Sequence, residues 1–250
     1  MYPIRALTPH ECVAIHSYTF LSEEFVSTCH IPTYEAFLHA ADLAPIYRWQ
    51  KLFLQHLQLS CPNRRWVLKS PDHVYGLDKL LKVFPDATII QIHRNPVDVL
   101  RSQIQLTKVL GGLFARPEEP KQLGKREARK IEEMVDQITR FRDARPQLAE
   151  RFIDVNYREL VSDPLAVVRR IYQQLDIQLT KVVTERIQCM ALNRSRYRRR
   201  DDSPTLADLG LDGAADTGVT FSGSCRESLL RAKFGLHFGH LGCGQALQQP

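Results

Sequence analysis

The sequence predicts one α/β domain with a parallel central sheet. Two short apolar runs, RWVLK at 65–69 and PDATIIQIH at 85–93, have the character of buried strands. The stretch between them, 71–84, carries apolar residues at helical spacing. Strand, helix and strand in this order are typical of a right-handed βαβ unit in a sheet covered by helices on both faces. A chain of 250 residues can bury one sizeable core.

The composition is that of an ordinary soluble protein, with 44% hydrophobic and 25% charged residues. Lys and Arg outnumber Asp and Glu by 34 to 28, and the net charge of +6 suits phosphorylated or polyanionic ligands. The six cysteines include no CxxC pair, which favours reduced thiols. No apolar run approaches the roughly 18 residues of a membrane span. We therefore expect a cytoplasmic protein.

Two helices are predicted before the first strand. Thr8 as N-cap, Pro9 at the first helical position and Glu11 three residues after Thr8 form a capping box with proline in its preferred place. The second helix covers ADLAPIYRWQKLFLQHLQLSC at 41–61, where apolar residues recur at mixed helical spacing.

After the second strand, a helix is predicted to begin at once, because Asn95 can cap it and a proline follows. The segment 111–124, GGLFARPEEPKQLG, is predicted to be a loop, and 125–150 a long amphipathic helix with one wet face. RFIDVNY at 151–157 is a third strand candidate, and Asp163 caps the helix after it.

The composition shifts near residue 193, where a dense charge run is followed by Gly, Ser, Ala and Thr with weak periodicity. We assign 1–192 to the α/β domain. We predict that 193–250 is a loop-rich, partly disordered extension of the same domain.

Cationic and polar residues stand where the first two strands end. Lys69 and Ser70 follow the first strand, and His93 and Arg94 end the second. In an open parallel sheet, ligands bind outside the carboxyl ends of the strands. If the two strands are neighbours, these side chains converge on one anion site.

The helix that begins after Asn95 strengthens this site. Its free N–H groups and partial positive charge suit a phosphate. Ser102 lies eight residues after Arg94, about two turns into the helix, so its hydroxyl can turn towards the same crevice. An arginine fork and a hydroxyl donor can clamp one phosphate group. A salt-bridged Arg94 and a solvent-facing Ser102 explain the same spacing without a ligand.

Three segments in this order resemble the bacterial-type branch of the sulfotransferase family: RWVLKSPDH, VFPDATIIQIHRNPVDVLRS and VNYRELVSDPLAVVRRIY. The resemblance runs from about residue 9 to about residue 175. It implies a P-loop NTPase-like three-layer sandwich. It also implies transfer of a sulfuryl group from 3′-phosphoadenosine 5′-phosphosulfate (PAPS) to a hydroxyl or amine acceptor, without a metal.

The resemblance also implies roles for three residues. Arg94 and Ser102 would bind the 3′-phosphate of the donor. Lys69 would face the bridging oxygen or the sulfuryl group, where a fixed cation stabilises the charge that grows on the leaving phosphate.

A general base must take the proton of the acceptor. His73 in SPDH is the candidate, because a neutral imidazole can accept that proton; the family's cytosolic members place a histidine closer to the lysine. An ordinary hydrogen-bonded histidine at a helix start is the alternative for His73. Glu11 is the less favoured base, because the capping box already uses it.

One motif of the family is missing from the sequence. Sulfotransferases carry an early Gly-containing loop of the PRSGTT or PKSGTT kind, and the first glycine here is Gly76. We therefore expect an N-terminally incomplete fold and weak binding of the 5′-phosphosulfate. The alternative function is a truncated or degenerate relative without catalysis that acts as a phosphate- or nucleic-acid-binding basic module.

Three further patterns suggest other functions and are less favoured. The arginine run RSRYRRR at 194–200 could bind nucleic acid, although two aspartates follow it. A zinc site could use four residues of the C-terminal segment, namely Cys225, His237, His240 and Cys243. A P-loop kinase would need a GKS or GKT loop, and the sequence has none.

Overall fold

The computed structural model describes residues 10–59, 65–114, 118–194 and 236–239, with only the backbone at 193–194 and 236–239. These residues belong to two compact units. The first comprises Met1–Ile89, Val109–Pro117 and Leu236–Pro250, and the second comprises Ile90–Lys108 and Glu118–Gly235. The predicted boundary between 1–192 and 193–250 stays a prediction.

The first unit begins with four helices, α1 to α4, at Cys12–Ser17, Glu23–Thr28, Pro32–Ala40 and Ala44–Gln58. The predicted capping box is wrong, because α1 has Glu11 as its N-cap and no side chain caps it. The first helical region also breaks at residues 18–22. The helix predicted at 41–61 is confirmed as α4.

The strand, helix and strand that the sequence predicts follow. Strand β1 is Val67–Lys69, a 3₁₀ helix spans Pro71–Gly76, helix α5 is Leu77–Val83, and strand β2 is Thr88–His93. Gly76 is required at the turn into α5, because a Cβ atom there would lie 2.8 Å from the ring of Tyr47. The turn therefore packs directly on α4.

Helix α6, Pro96–Phe114, begins as predicted, with Asn95 Oδ1 accepting a hydrogen bond from the backbone N–H of Val97 at 2.9 Å. The loop predicted at 111–124 is largely wrong. Helix α6 continues to Phe114, and helix α7, Pro120–Asp143, begins four residues before the predicted loop ends. The charged segment does form the long amphipathic helix, whose apolar side is buried in the second unit.

A second 3₁₀ helix, Pro146–Arg151, leads into strand β3, Phe152–Asn156. Helices α8, α9 and α10 follow at Tyr157–Ser162, Pro164–Gln174 and Lys181–Arg194. Asp163 caps α9 as predicted, since its carboxylate accepts from the N–H of Ala166 at 2.9 Å. Four buried apolar residues form one core cluster of this unit: Ile90, Ile153, Val155 and Val167.

The strands form one four-stranded sheet in the hydrogen-bonded order β1-β4-β2-β3, where β4 is Leu236–Gly239. Strand β4 pairs antiparallel with β1, with Val67 opposite Gly239. The α/β class is confirmed. The first two strands are not neighbours in this order, because β4 lies between them, so the condition for a shared anion site at adjacent strand ends is not met.

Candidate functional site

Lys69 ends β1, and its ammonium group forms an ion pair with the carboxylate of Glu11. The two residues are 58 positions apart in the sequence. Both side chains are partly exposed. The pair was missed from the sequence, because Glu11 was assigned to the capping box. The structure thus brings a cation and a carboxylate together at the end of a strand.

The residues after Lys69 are held tightly. Ser70 is fully buried, and its hydroxyl donates to Asp72 Oδ2 at 3.0 Å. This short bridge fixes the chain between β1 and the 3₁₀ helix. A rigid turn behind Lys69 limits where its backbone can move.

His73, the base candidate, is fully buried. Its Nδ1 lies 3.3 Å from the hydroxyl of Tyr47, and its ring centre is 5.4 Å from that of His16. Burial, and then the nearby His16, hold the pKa of His73 well below its usual range. The imidazole is therefore neutral, but it faces the interior of the first unit.

His16 belongs to the same buried cluster. Its Nε2 lies 2.9 Å from Gln50 Oε1, and burial lowers its pKa, while the bond to Gln50 works in the opposite direction. The thiol of Cys12 is buried too, and burial raises its pKa to about 12. These groups are uncharged near neutral pH, as expected for polar residues inside a core.

Arg94 lies in the second unit, just after β2. Its guanidinium stacks over the ring of Tyr157, with the central carbon 4.7 Å from the ring centre. Within the described part of the chain, its buried Nε has no hydrogen-bond partner. Ser102 is half-buried in the second turn of α6. The phosphate clamp of Arg94 and Ser102 stays a prediction.

His93 has a different role from the one its position suggests. Its Nε2 pairs with the carboxylate of Asp154 on β3. Arg142 on α7 binds both oxygens of that carboxylate, at 2.8 and 2.9 Å, and also Gln91 Oε1 at 2.8 Å. Its guanidinium lies 4.6 Å from the ring centre of Phe152. The network ties together two strands and a helix of the second unit.

Asp154 is ionised by these partners. Partial burial opposes its ionisation, but the hydrogen bonds from Arg142 and His93 outweigh that effect and hold the pKa of this carboxyl far below its usual range. Because the guanidinium of Arg142 is already paired with Asp154, Arg142 is a poor candidate for binding a ligand. The sequence gives no sign of the pairing between Asp154 and His93, since these residues are 61 positions apart.

Two of the other patterns in the sequence lie mostly outside the described residues. Residues 195–200 of the arginine run and the side chains of the proposed zinc ligands are not among them. In the part that the structure describes, no group of three or more His, Cys, Asp or Glu side chains could hold a metal ion. The described helices also include none that is long and apolar enough to cross a membrane.

A sequence profile of the sulfotransferase family matches residues 2–181 of the chain. Two curated relatives are each 30% identical to it over 151 residues. They are the omega-hydroxy-beta-dihydromenaquinone-9 sulfotransferases Stf3 of Mycobacterium bovis and of Mycobacterium tuberculosis. The alignment covers 58% of the chain and 38% of each relative, so the chain spans well under half the length of these relatives.

Two solved structures are similar over most of the chain. The sulfotransferase STF9 from Mycobacterium avium matches with a TM-score of 0.72 and 28% identity, over 89% of this chain and 55% of that one. The sulfotransferase STF1 from Mycobacterium tuberculosis H37Rv matches with a TM-score of 0.70 and 27% identity, over 84% of this chain and 54% of that one.

Proposed function

The chain belongs to the sulfotransferase family, and from that premise we propose that it transfers a sulfuryl group from PAPS to a hydroxyl or amine acceptor. The observation that carries the proposal is the profile match over residues 2–181, which includes Lys69, Arg94 and Ser102. The cytoplasmic location predicted from the sequence stays a prediction.

Lys69 is proposed to stabilise the charge that grows on the leaving phosphate as the S–O bond breaks. Its geometry supports this role, because its carboxylate partner, Glu11, is itself partly exposed. Partly exposed ion pairs contribute little to stability, so exchanging that partner for a donor oxygen costs little. The ammonium group is thus available to an anion.

Glu11, rather than His73, is proposed as the proton acceptor. A base must reach the proton of the acceptor directly or through one water. Glu11 is partly exposed beside Lys69, whereas His73 is enclosed in the core. In the proposed step, the acceptor oxygen attacks sulfur, its proton passes to the Glu11 carboxylate, and 3′-phosphoadenosine 5′-phosphate leaves with the electron pair of the broken S–O bond.

Arg94 and Ser102 are proposed to bind the 3′-phosphate. The stack on Tyr157 fixes the plane of the guanidinium and leaves its N–H groups at the edge of that plane. An arginine ordered in this way loses less entropy when it binds a phosphate. The helix that begins at Pro96, directly after Arg94 and Asn95, adds its positive end.

The acceptor is proposed to be an alcohol on an apolar chain. The two curated relatives are named for an omega-hydroxy menaquinone. Their similarity to this chain supports the same class of acceptor.

Calorimetric titration with 3′-phosphoadenosine 5′-phosphate tests the donor site. Arg94→Ala should weaken binding about tenfold to a hundredfold, because a charge-assisted phosphate contact is lost. Arg145→Ala is the matched control, since Arg145 stacks over Phe141 at 4.5 Å in the same unit. It should bind like the wild type. Equal affinities of the wild type and Arg94→Ala would refute the assigned phosphate site.

Labelled PAPS separates the two functions considered from the sequence. If label reaches a long-chain primary alcohol, the chain is a sulfotransferase. If the nucleotide binds with the expected dependence on Arg94 but no label moves to any alcohol or amine, the chain is a non-catalytic, phosphate-binding relative.

A further inference from the structure

The outer side of α4 combines apolar and cationic residues in the first unit. Its inner side is buried, but Trp49, Leu52 and Leu57 are exposed on the outer side, next to Arg48 and Lys51. The helix contains no Asp or Glu. An amphipathic helix with large apolar residues, basic residues and no acidic ones is typical of a segment that lies on an anionic membrane surface.

The loop between α1 and α2 presents an aromatic side chain in an unfavourable conformation. Phe20 is 74% exposed and has φ 55°, a left-handed conformation that is unfavourable for a bulky residue. The hydroxyl of Tyr34 holds the loop in place. It donates to the carbonyl of Phe20 at 3.0 Å and accepts from the N–H of Ser22 at 3.1 Å. The fold therefore keeps this ring largely exposed, although it stacks on Phe25 with ring centres 6.2 Å apart.

Ring contacts join the loop to α4. Tyr18 stacks on Phe53 with ring centres 6.2 Å apart and planes 24° from parallel. Trp49 contacts the same Phe53 at 6.1 Å, and its indole N–H donates to the carbonyl of Ile15 at 3.1 Å. We name the apolar face as the three joined rings of Tyr18, Trp49 and Phe53, together with two exposed residues close to them in the sequence, Phe20 and Leu52.

We propose that the apolar face docks on an anionic lipid bilayer. Phe20 and Leu52 enter the boundary between headgroups and acyl chains, and Arg48 and Lys51 meet lipid phosphates. A bilayer fits this surface better than a second copy of the chain does. In a twofold dimer, the same patch of both copies would meet, which would gather Arg48 and Lys51 of both copies in one interface. Anionic lipids supply the opposite charge.

Docking would give the protein direct access to an apolar alcohol dissolved in the bilayer. This consequence depends on the proposed function, but the docking itself does not. Vesicle binding can therefore be measured without a sulfate donor or an acceptor. The proposal of membrane docking and the proposal of transferase activity can then be refuted independently of each other.

The test is co-sedimentation of the full chain with vesicles of equal parts phosphatidylglycerol and phosphatidylcholine. The wild type should bind, with at least about tenfold weaker binding to pure phosphatidylcholine and at high salt. Leu52→Ser should weaken binding about tenfold, because a 61% exposed leucine no longer inserts. Leu192→Ser, at a 79% exposed leucine of α10 in the other unit, is the matched control and should bind normally.

A second variant separates loss of the surface from loss of the fold. Phe20→Asn should weaken vesicle binding but raise the melting temperature, because asparagine tolerates positive φ better than phenylalanine. Absence of wild-type binding to anionic vesicles would overturn the proposal. So would equal losses in Leu52→Ser and Leu192→Ser. A wild-type dimer that Leu52→Ser splits, with no vesicle binding, would assign the apolar face to a second copy instead.

Discussion

Two lysine–carboxylate pairs in the first unit are alike in exposure and differ in position. The side chains of Lys69 and Glu11 are 37% and 43% exposed, and those of Lys79 and Asp78 are 35% and 36% exposed. The second pair joins adjacent residues of α5. The first pair joins the end of a strand to the start of α1. Exposure therefore does not distinguish the pair that we propose to be functional from the local one, and only their places in the fold differ.

The network around Asp154 in the second unit shows how a structural ion pair differs from these two. Asp154 is bound by His93 and Arg142, and Arg142 also binds Gln91 and stacks on Phe152. Separating this network would break several contacts at once. In the part of the chain that the structure describes, separating Lys69 from Glu11 breaks one ion pair.

The largest expected effect is on turnover. Glu11→Gln should lower the rate of sulfuryl transfer to a long-chain alcohol by about a hundredfold or more, because the amide cannot accept the proton. Asp78→Asn is the matched control and should keep the wild-type rate. The measurement is transfer of label from PAPS at saturating donor. A wild-type rate in Glu11→Gln would remove Glu11 as the base.

The second largest expected effect is on the free energy of unfolding. Arg142→Met should lower the free energy of unfolding by about 1 to 2 kcal/mol, a modest value because Asp154 is partly exposed. Arg140→Met, which breaks the exposed pair of Arg140 with Asp136 on the same helix, should have almost no effect. Urea titration measures both. Equal losses in the two variants would contradict a structural role for the Asp154 network.

The buried histidines predict a pH dependence. His16 and His73 have lowered pKa values in the folded state, so the unfolded chain takes up their protons first. The free energy of unfolding is therefore unaffected by these two histidines above about pH 6.5, and it decreases as the pH falls below that value. His16→Gln should flatten the loss of stability between pH 7 and 5, and His56→Gln, at an exposed position of α4, should not. If the stability of His16→Gln decreased between pH 7 and 5 as steeply as that of the wild type, the prediction would be wrong.

The smallest expected effect is the change in melting temperature when Lys69 or Lys79 is replaced. Lys69→Met and Lys79→Met should both melt within about 2 °C of the wild type, because partly exposed ion pairs add little stability. Thermal unfolding followed by circular dichroism measures both melting temperatures. A much larger loss in Lys69→Met would mean that the pair with Glu11 is structural after all.

Local signals account for what the sequence predicted correctly. The caps at Asn95 and Asp163 depend on hydrogen bonds to residues two or three positions away, so the sequence reveals them. The prediction of a loop at 111–124 was largely wrong because α6 tolerates Gly111 and Gly112. A Cβ atom at either position would have no neighbouring atom within 4 Å. The cost of helical glycine is about 1 kcal/mol for each residue, and packing can outweigh it.

Long-range contacts account for what the sequence could not reveal. The pair of Lys69 with Glu11 joins residues 58 positions apart, and β4 comes from a segment that has no clear strand pattern. The burial of His73 depends on α1 and α4 packing around it. Periodicity and spacing carry no information about such contacts. The residue types of the site could be predicted, but their partners could not.

Titration of the chain with intact PAPS tests the central claim most directly. The account predicts one binding site, at least about tenfold weaker in Lys69→Met and unchanged in Lys79→Met, because only the first lysine meets the phosphosulfate. Equal affinities in the two variants, or no binding to the wild type, would contradict it.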